Sequence, residues 1–140
     1  MGRRQAREAA LKTLFQVELG GAQPDFALQQ MILEDRLSDT ETSFSRKLVE
    51  GVLTNQEEID EILAEFSTEW SLERMANMDR MVLRLAAYEL LFCPDVPMPV
   101  AISEAVELAK LYSTNDSGRF VNGILSNVAK LKSEKGGKGK

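Results

Sequence analysis

Residues 78–92, MDRMVLRLAAYELLF, carry the strongest helical pattern in this 140-residue chain. Apolar side chains recur there at the three- and four-residue spacing that places them on one face of an α-helix. The positions in register are Val82, Leu85, Ala86 and Leu90. Pro94, Pro97 and Pro99 follow, and prolines interrupt a helix because they lack a backbone N–H. The stretch therefore predicts a core helix from about Met78 to Phe92, followed by an extended connector.

The sequence on both sides of this stretch predicts further helices, and no segment shows the alternation of a β-strand. Before it, we expect helices from about Arg4 to Leu19, from Pro24, and from the cap candidates Ser38, Asp39 and Thr40. A fourth should begin at Asn55, which with Glu58 three residues later resembles a capping box. After it, we expect helices from Val100 to Leu111 and from a cap at Asp116 or Ser117 to about Leu131. The pattern predicts an all-α fold with a division near Trp70.

Composition excludes several classes of chemistry. The chain has no histidine and one cysteine, so it lacks the residues for a His-based triad, a zinc finger or an internal disulfide. It has neither of the glycine-rich phosphate loops GxxxxGK[ST] and GxGxxG. No apolar run approaches the roughly 18–20 residues that span a bilayer. We therefore expect a cytoplasmic protein that is not an enzyme and requires no cofactor, metal or membrane.

Positive charge is concentrated at the two ends of a chain whose net charge is −5. Residues 1–12 contain four cations and one carboxylate, and residues 130–140 contain five lysines and one carboxylate. Charge separated in this way permits a local site for a polyanion on an acidic body. The glycines among residues 132–140 favour a different interpretation of that end, a flexible and solubilising Lys/Gly tail.

Arg3, Arg4 and Arg7 stand at the start of the first predicted helix, which is an unfavourable place for positive charge. The N-terminal turn carries unpaired N–H groups and the positive end of the macrodipole, so each cation there costs roughly 0.3–1 kcal/mol. Guanidinium groups bind phosphate through pairs of hydrogen bonds. The cluster therefore predicts a phosphate site at the rim of the core. A solvated, frayed terminus is the alternative.

The start of the last predicted helix, NDSGRFVNGIL at residues 115–125, is the second informative segment. Phe120 lies at the edge of the apolar stripe of this helix, and Arg119 and Asn122 point further out. Aromatic, cationic and amide groups together suit single-stranded RNA, which proteins bind by stacking and by hydrogen bonds to base edges. The alternative is a phenylalanine at the edge of the core beside a helix cap, with Gly123 permitting close helix packing.

Together these segments resemble the NusB family of bacterial transcription antitermination factors. The resemblance covers about Arg3 to Val128 and rests on the order and spacing of short motifs. They are Arg3-Arg4, Ala6-Arg7-Glu8, Leu14-Phe15-Gln16, LVEGV at 48–52, Asp79-Arg80, LRLA at 83–86, YELL at 88–91, EAVELAK at 104–110 and FVNGIL at 120–125. Ser103 is a departure, because many members have Asn at this position.

The resemblance implies an all-α fold in which two three-helix subbundles form one compact domain. This NusB-like domain would span residues 1–131, with an N-terminal subbundle at about 3–70 and a C-terminal subbundle at about 71–131. The Lys/Gly tail at 132–140 lies outside the family pattern.

The resemblance also implies binding of boxA RNA together with NusE, a small-subunit ribosomal protein, in a complex with RNA polymerase and other Nus factors. The residues that would contact RNA are Arg3, Arg4, Arg7, Asp116, Ser117, Arg119 and Phe120. The protein partner would contact Phe15 and Asp79, with Glu73 and Arg80 as additions. Because a carboxylate repels phosphate, Asp116 would act as a helix cap or as an acceptor for a base.

One alternative function stays open at this point. The chain could be a protein-interaction or self-associating helical module without autonomous RNA binding, its arginines meeting a carboxylate surface. The resemblance permits both a monomer and a homodimer.

Overall fold

The computed structural model describes residues 2–67 and 72–138 of the chain. Within these residues the regular secondary structure consists of seven α-helices and one 3-10 turn. The helices are α1 (Gly2–Gly20), α2 (Pro24–Glu34), α3 (Asp39–Thr54), α4 (Gln56–Phe66), α5 (Asn77–Phe92), α6 (Met98–Tyr112) and α7 (Asn115–Lys138). The 3-10 turn, Leu72–Arg74, lies between α4 and α5 in the sequence. The predicted all-α fold class is confirmed.

Packing divides the chain between Thr54 and Asn55 into two compact units, the first with α1–α3 and the second with α4–α7. The sequence places this division near Trp70. Helix α4 belongs to the second unit because it packs on α5 and α7. Arg84 on α5 forms an ion pair with Asp60 on α4, at 2.8 Å from Nε to Oδ1. This contact joins residues 24 positions apart, so helical periodicity gives no sign of it.

In the first unit, α1 packs against α2 and α3. The buried residues of α1 are Ala6, Arg7, Ala9, Ala10, Leu11, Thr13 and Leu14. Leu19, at the predicted end of this helix, is 46% exposed. At 3.6 residues per turn, a side chain eight positions beyond Leu11 has rotated about 80° away from it. The apolar face of α1 therefore ends before the last turn of the helix.

In the second unit, α5 is the central helix and packs on α4, α6 and α7. Every residue from Asp79 to Leu90 is buried, which agrees with the sequence prediction of a core helix over residues 78–92. Buried charge on this helix has partners. Arg80 donates to the carbonyl of Leu72 at 2.8 Å and to Oδ1 of Asn77 at 2.7 Å. The Arg80 guanidinium thus fastens the 3-10 turn to the start of α5.

The helix caps confirm one expectation and correct another. At the start of α3, the Ser38 N–H donates to Glu41 at 2.8 Å, and the Glu41 N–H donates to the Ser38 hydroxyl at 3.2 Å. This reciprocal pair is a capping box. Asn55 makes no side-chain cap at α4, so the box predicted with Glu58 does not form. The Asn55 backbone, with ψ near 16°, lacks the extended conformation from which a cap side chain reaches the helix.

The start of α7 also corrects the sequence prediction. Thr114 caps this helix, because its hydroxyl accepts the Ser117 N–H at 3.1 Å. Asp116 and Ser117, the predicted caps, lie within the first turn. The run Ser113-Thr114-Asn115-Asp116-Ser117 offers five residues of types that can cap a helix, so composition alone does not select one.

Two further helix boundaries differ from prediction. Pro99 lies inside the first turn of α6, where the missing N–H removes no hydrogen bond, so the connector after α5 is short. Helix α7 continues past the expected end near Leu131 and includes residues 132–138 of the predicted tail. Lys132 anchors this segment by donating to the carbonyl of Leu91 at 3.1 Å.

No helix in the described ranges is long and apolar enough to cross a membrane.

Candidate nucleic-acid interface

The three N-terminal arginines differ in exposure. Arg3 and Arg4 are exposed, whereas Arg7 is 4% exposed. The guanidinium carbon of Arg3 lies 4.3 Å from the centre of the Phe44 ring, and that of Arg7 lies 5.4 Å from it. Cation–π contacts of this kind contribute about 0.5–2 kcal/mol, the larger value where water is excluded. They offset the unfavourable position of these cations at a helix start.

The Phe44 ring is therefore the common contact of Arg3 and Arg7. Phe44 lies on α3, is 8% exposed and contacts both guanidinium groups. A frayed terminus does not describe this segment, because α1 already begins at Gly2. Buried Arg7 supports the site, while Arg3 and Arg4 present charge to the solvent. Sequence reasoning missed this role of Phe44, because only tertiary packing brings α3 to the start of α1.

The second cluster lies at the start of α7, inside the second unit. Ser117 is 6% exposed, and its hydroxyl donates to Oδ2 of Asp79 at 3.1 Å. The hydroxyl oxygen of Ser117 also lies 3.0 Å from the Thr114 hydroxyl and 3.1 Å from the Ser113 hydroxyl. Since an ionised carboxylate can only accept, the single Ser117 proton is best used by Asp79. Ser117 is thus a buried link between α5 and α7.

A pocket of about 270 Å³ opens beside this link. Its lining residues are Arg74, Met75, Ala76, Asp79, Thr114, Asp116, Ser117 and Phe120. Phe120 is half-buried and Asp116 is exposed. Oδ1 of Asp79 is buried and has no hydrogen-bond partner among the described residues. The pocket therefore combines an aromatic ring with hydroxyl and carboxylate side chains, a set that suits a planar group carrying N–H donors.

Arg119 points away from this pocket into a separate, wider groove of about 820 Å³ between α6 and α7. Arg119 and Asn122 are exposed there, close to Lys110. Gly118 lies at the base of the same groove. A Cβ atom added to Gly118 would lie 3.1 Å from Lys110 Cγ and 3.2 Å from Val106 Cγ1. The close approach of α6 and α7 thus occurs at Gly118, and an added Cβ at Gly123 would meet nothing within 4 Å.

The residues predicted to face a protein partner also differ in their surroundings. Phe15 is half-buried on α1. Asp79 and Arg80 are buried, and both form the internal hydrogen bonds given above. The side chain of Glu73 lies outside the part of the chain that the structure describes.

The arrangement offers little for metal binding. Across residues 2–67 and 72–138, no group of three or more His, Cys, Asp or Glu side chains lies together in a way that could hold a metal ion. The clusters described above present cations, an aromatic edge and hydroxyls, which are groups for binding a ligand.

Comparison with known proteins gives consistent matches over most of the chain. The sequence profile of the NusB family matches residues 4–130. The transcription antitermination protein NusB of Desulforamulus reducens is 48% identical over 134 residues, a region that covers 96% of this chain and 94% of that protein.

Solved structures agree with this result. The crystal form of T. maritima NusB is 41% identical and superposes with a TM-score of 0.85, covering 91% of this chain and 90% of that one. A chain in the crystal structure of the antitermination factors NusB and NusE in complex with double-stranded RNA is 29% identical, with a TM-score of 0.85 and coverage of 93% and 97%. The protein described here belongs to the NusB family.

Proposed function

We propose that this protein is a non-catalytic, RNA-binding transcription antitermination factor that binds boxA-type single-stranded RNA together with NusE. The observation that carries the proposal is the position of Arg3. It is an exposed cation in the first turn of a helix, held over the Phe44 ring although the helix dipole disfavours it there. A guanidinium held in this way is prepared for an anion. The relatives of this protein include the NusB in the solved complex of NusB and NusE with double-stranded RNA.

Each predicted contact residue has a distinct role in this proposal. Arg3 and Arg4 bind phosphates, and buried Arg7 keeps Phe44 and Arg3 in place. Phe120 stacks on a base at the mouth of the pocket near α7, and Arg119 adds charge from the neighbouring groove. Ser117 shapes the pocket from inside. Exposed Asp116 accepts a hydrogen bond from a base amino group, since it would repel a phosphate.

The protein partners follow from the family. NusE would contact the exposed part of Phe15 and the region around the 3-10 turn that Arg80 fastens, with Asp79 and Glu73 nearby. The acidic body of the chain, whose net charge is −5, suits a basic ribosomal protein. RNA polymerase and other Nus factors would join the complex in the cytoplasm. The protein would act there as a monomer or a homodimer.

Titration of a labelled boxA-type single strand tests the proposal, with and without NusE and at several salt concentrations. We expect tighter binding with NusE and an affinity that falls as salt rises, because phosphate contacts release counterions. Arg4→Ala should weaken binding, while Arg46→Ala serves as a control, since Arg46 lies on α3 and its ion-pair partner is Asp25 at 3.9 Å. Failure of the folded wild-type protein to bind this RNA even with NusE would contradict the proposal.

A protein-interaction module without autonomous RNA binding is the second candidate. Two large apolar side chains on α2 favour it, because Phe26 is 64% exposed and Leu33 is 65% exposed. Exposed apolar surface of this kind is typical of protein contacts. Sedimentation of the same samples distinguishes the two candidates, since a salt-insensitive dimer that ignores RNA would favour this second one.

A further inference from the structure

An open groove of about 540 Å³ lies inside the first unit, between the start of α1 and the first turns of α3. Its lining includes Arg3 from α1 and Ser43, Phe44 and Lys47 from α3. Neither Ser43 nor Lys47 belongs to the RNA-contact set inherited from the family resemblance. The groove therefore continues the arginine cluster onto a surface that has no assigned role.

The side chains of this groove suit a phosphodiester. Ser43 and Lys47 are both exposed and stand four residues apart, so they lie on the same face of α3, one turn from each other. Phe44, next to Ser43 in the sequence, is buried, and the Arg3 guanidinium carbon lies 4.3 Å from the centre of its ring. A guanidinium stacks on a ring by its face and binds an oxyanion through its N–H edge, so the two contacts use different parts of the group. Two cations and a hydroxyl donor thus line one continuous surface.

Acidic residues at the start of α3 are the main opposing charges. Glu41 lines the groove, but its carboxylate already accepts the Ser38 N–H at 2.8 Å in the capping box. Asp39 stands in the same first turn and is not a lining residue. Both carboxylates lie at the N-terminal end of α3, where the helix dipole offsets their charge. Lys47 lies about two turns further along the helix and faces the solvent.

We infer that the RNA strand bound by Arg3 and Arg4 continues along this groove, where Lys47 and Ser43 bind a phosphate of its backbone. The inference rests on the proposed function and adds to it a contact on α3. An extended polyanion is favoured over a protein carboxylate because the cations are spread along an open groove next to the arginine cluster, which is how single-strand channels follow a backbone. Phe44 positions Arg3 and does not itself touch the RNA.

Adjacent residues on α3 provide a matched pair of variants. Lys47→Gln removes the cation in the groove, and Arg46→Gln removes the neighbouring cation, which does not line the groove and lies 3.9 Å from Asp25. The measurement is the affinity of each variant and of the wild type for a labelled boxA-type single strand, with NusE present, across a range of salt concentrations. Thermal unfolding of the three proteins checks that each is folded.

We expect Lys47→Gln to weaken binding several-fold for every RNA sequence and to reduce the salt dependence by one phosphate contact, about 0.7 in the slope of log K against log salt. Arg46→Gln should leave both quantities unchanged. Equal affinities for the two variants would overturn the inference and leave the proposed function intact. If Lys47→Gln failed to bind NusE in the absence of RNA, the inference would also be overturned, because the groove would then be a surface for the protein partner. Absence of RNA binding by the wild type would instead refute the proposed function.

Discussion

The hydroxyl of Ser117 on α7 donates to Oδ2 of Asp79 on α5 across 3.1 Å, and both residues are buried. The family resemblance assigns these residues to different ligands, Ser117 to RNA and Asp79 to the protein partner. The two residues are hydrogen-bonded to each other, and both line one pocket together with Phe120. A substitution at Ser117 therefore also removes a hydrogen bond from Asp79.

Ser117→Ala should destabilise the protein by about 1–3 kcal/mol, because it leaves a buried carboxylate without its donor. The other oxygen of Asp79 already has no partner among the described residues, so no second donor compensates. Urea unfolding measures the change. Ser113→Ala is the control, since the Ser113 hydroxyl contacts Ser117 and not Asp79.

A double-mutant cycle with Asp79→Leu shows whether the cost arises from this pair. The double variant should be less destabilised than the sum of the single variants, because replacing both partners removes the unsatisfied charge. Strict additivity would mean that the hydrogen bond contributes nothing to stability.

Two glycines of α7 give opposite expectations for the same substitution. Gly123→Ala should stabilise the protein by about 0.5–1 kcal/mol, because alanine restricts the unfolded chain and a Cβ here meets nothing within 4 Å. Gly118→Ala should give no gain, and a loss of up to about 1 kcal/mol, because its Cβ would press on Lys110 and Val106 at 3.1–3.2 Å. Thermal unfolding of both variants measures the change in stability. A stabilised Gly118→Ala protein would contradict the expectation and show that the side chains of Lys110 and Val106 move aside at little cost.

The pKa of Tyr88 predicts how stability depends on alkaline pH. Burial raises this pKa above its usual 10.0, and the charge of Cys93 raises it further. A folded-state pKa above the unfolded value means that stability is unaffected below about pH 10 and declines as the pH rises through the folded pKa. Tyr88→Phe should remove that part of the decline. Denaturant unfolding of the wild type and of Tyr88→Phe at pH 8 and above pH 10 measures it.

Local patterns in the sequence predicted most of the fold. Helix α5 was predictable because its apolar residues keep a helical period between clear boundaries, and Ser38 was among three cap candidates for α3 because of its residue type. The Arg84–Asp60 pair that assigns α4 to the second unit was not predictable, since its members are distant in sequence.

The candidate site shows the same limit. Arg3 drew attention because its charge opposes the helix dipole, which is a local signal. Phe44 gave no such signal, because an aromatic residue on an apolar stripe fits an ordinary core. The burial of Ser117 was equally hidden, since a serine near a helix start suits a cap as well as a buried link to Asp79.

Phe120 allows the most direct test of base stacking. Its ring is half-buried at the edge of the pocket on α7, so part of it can meet a ligand. Phe120→Leu keeps an apolar side chain but removes the ring, and should weaken boxA-type RNA binding by about 1–3 kcal/mol if a base stacks there. Phe120→Tyr retains the ring and should bind nearly as well as the wild type. Leu111→Ala, at a residue that is 66% exposed and does not line this pocket, controls for general surface effects. Fluorescence titration with NusE present gives the affinities, and equal binding by the folded Leu and Tyr variants would remove Phe120 from the RNA site.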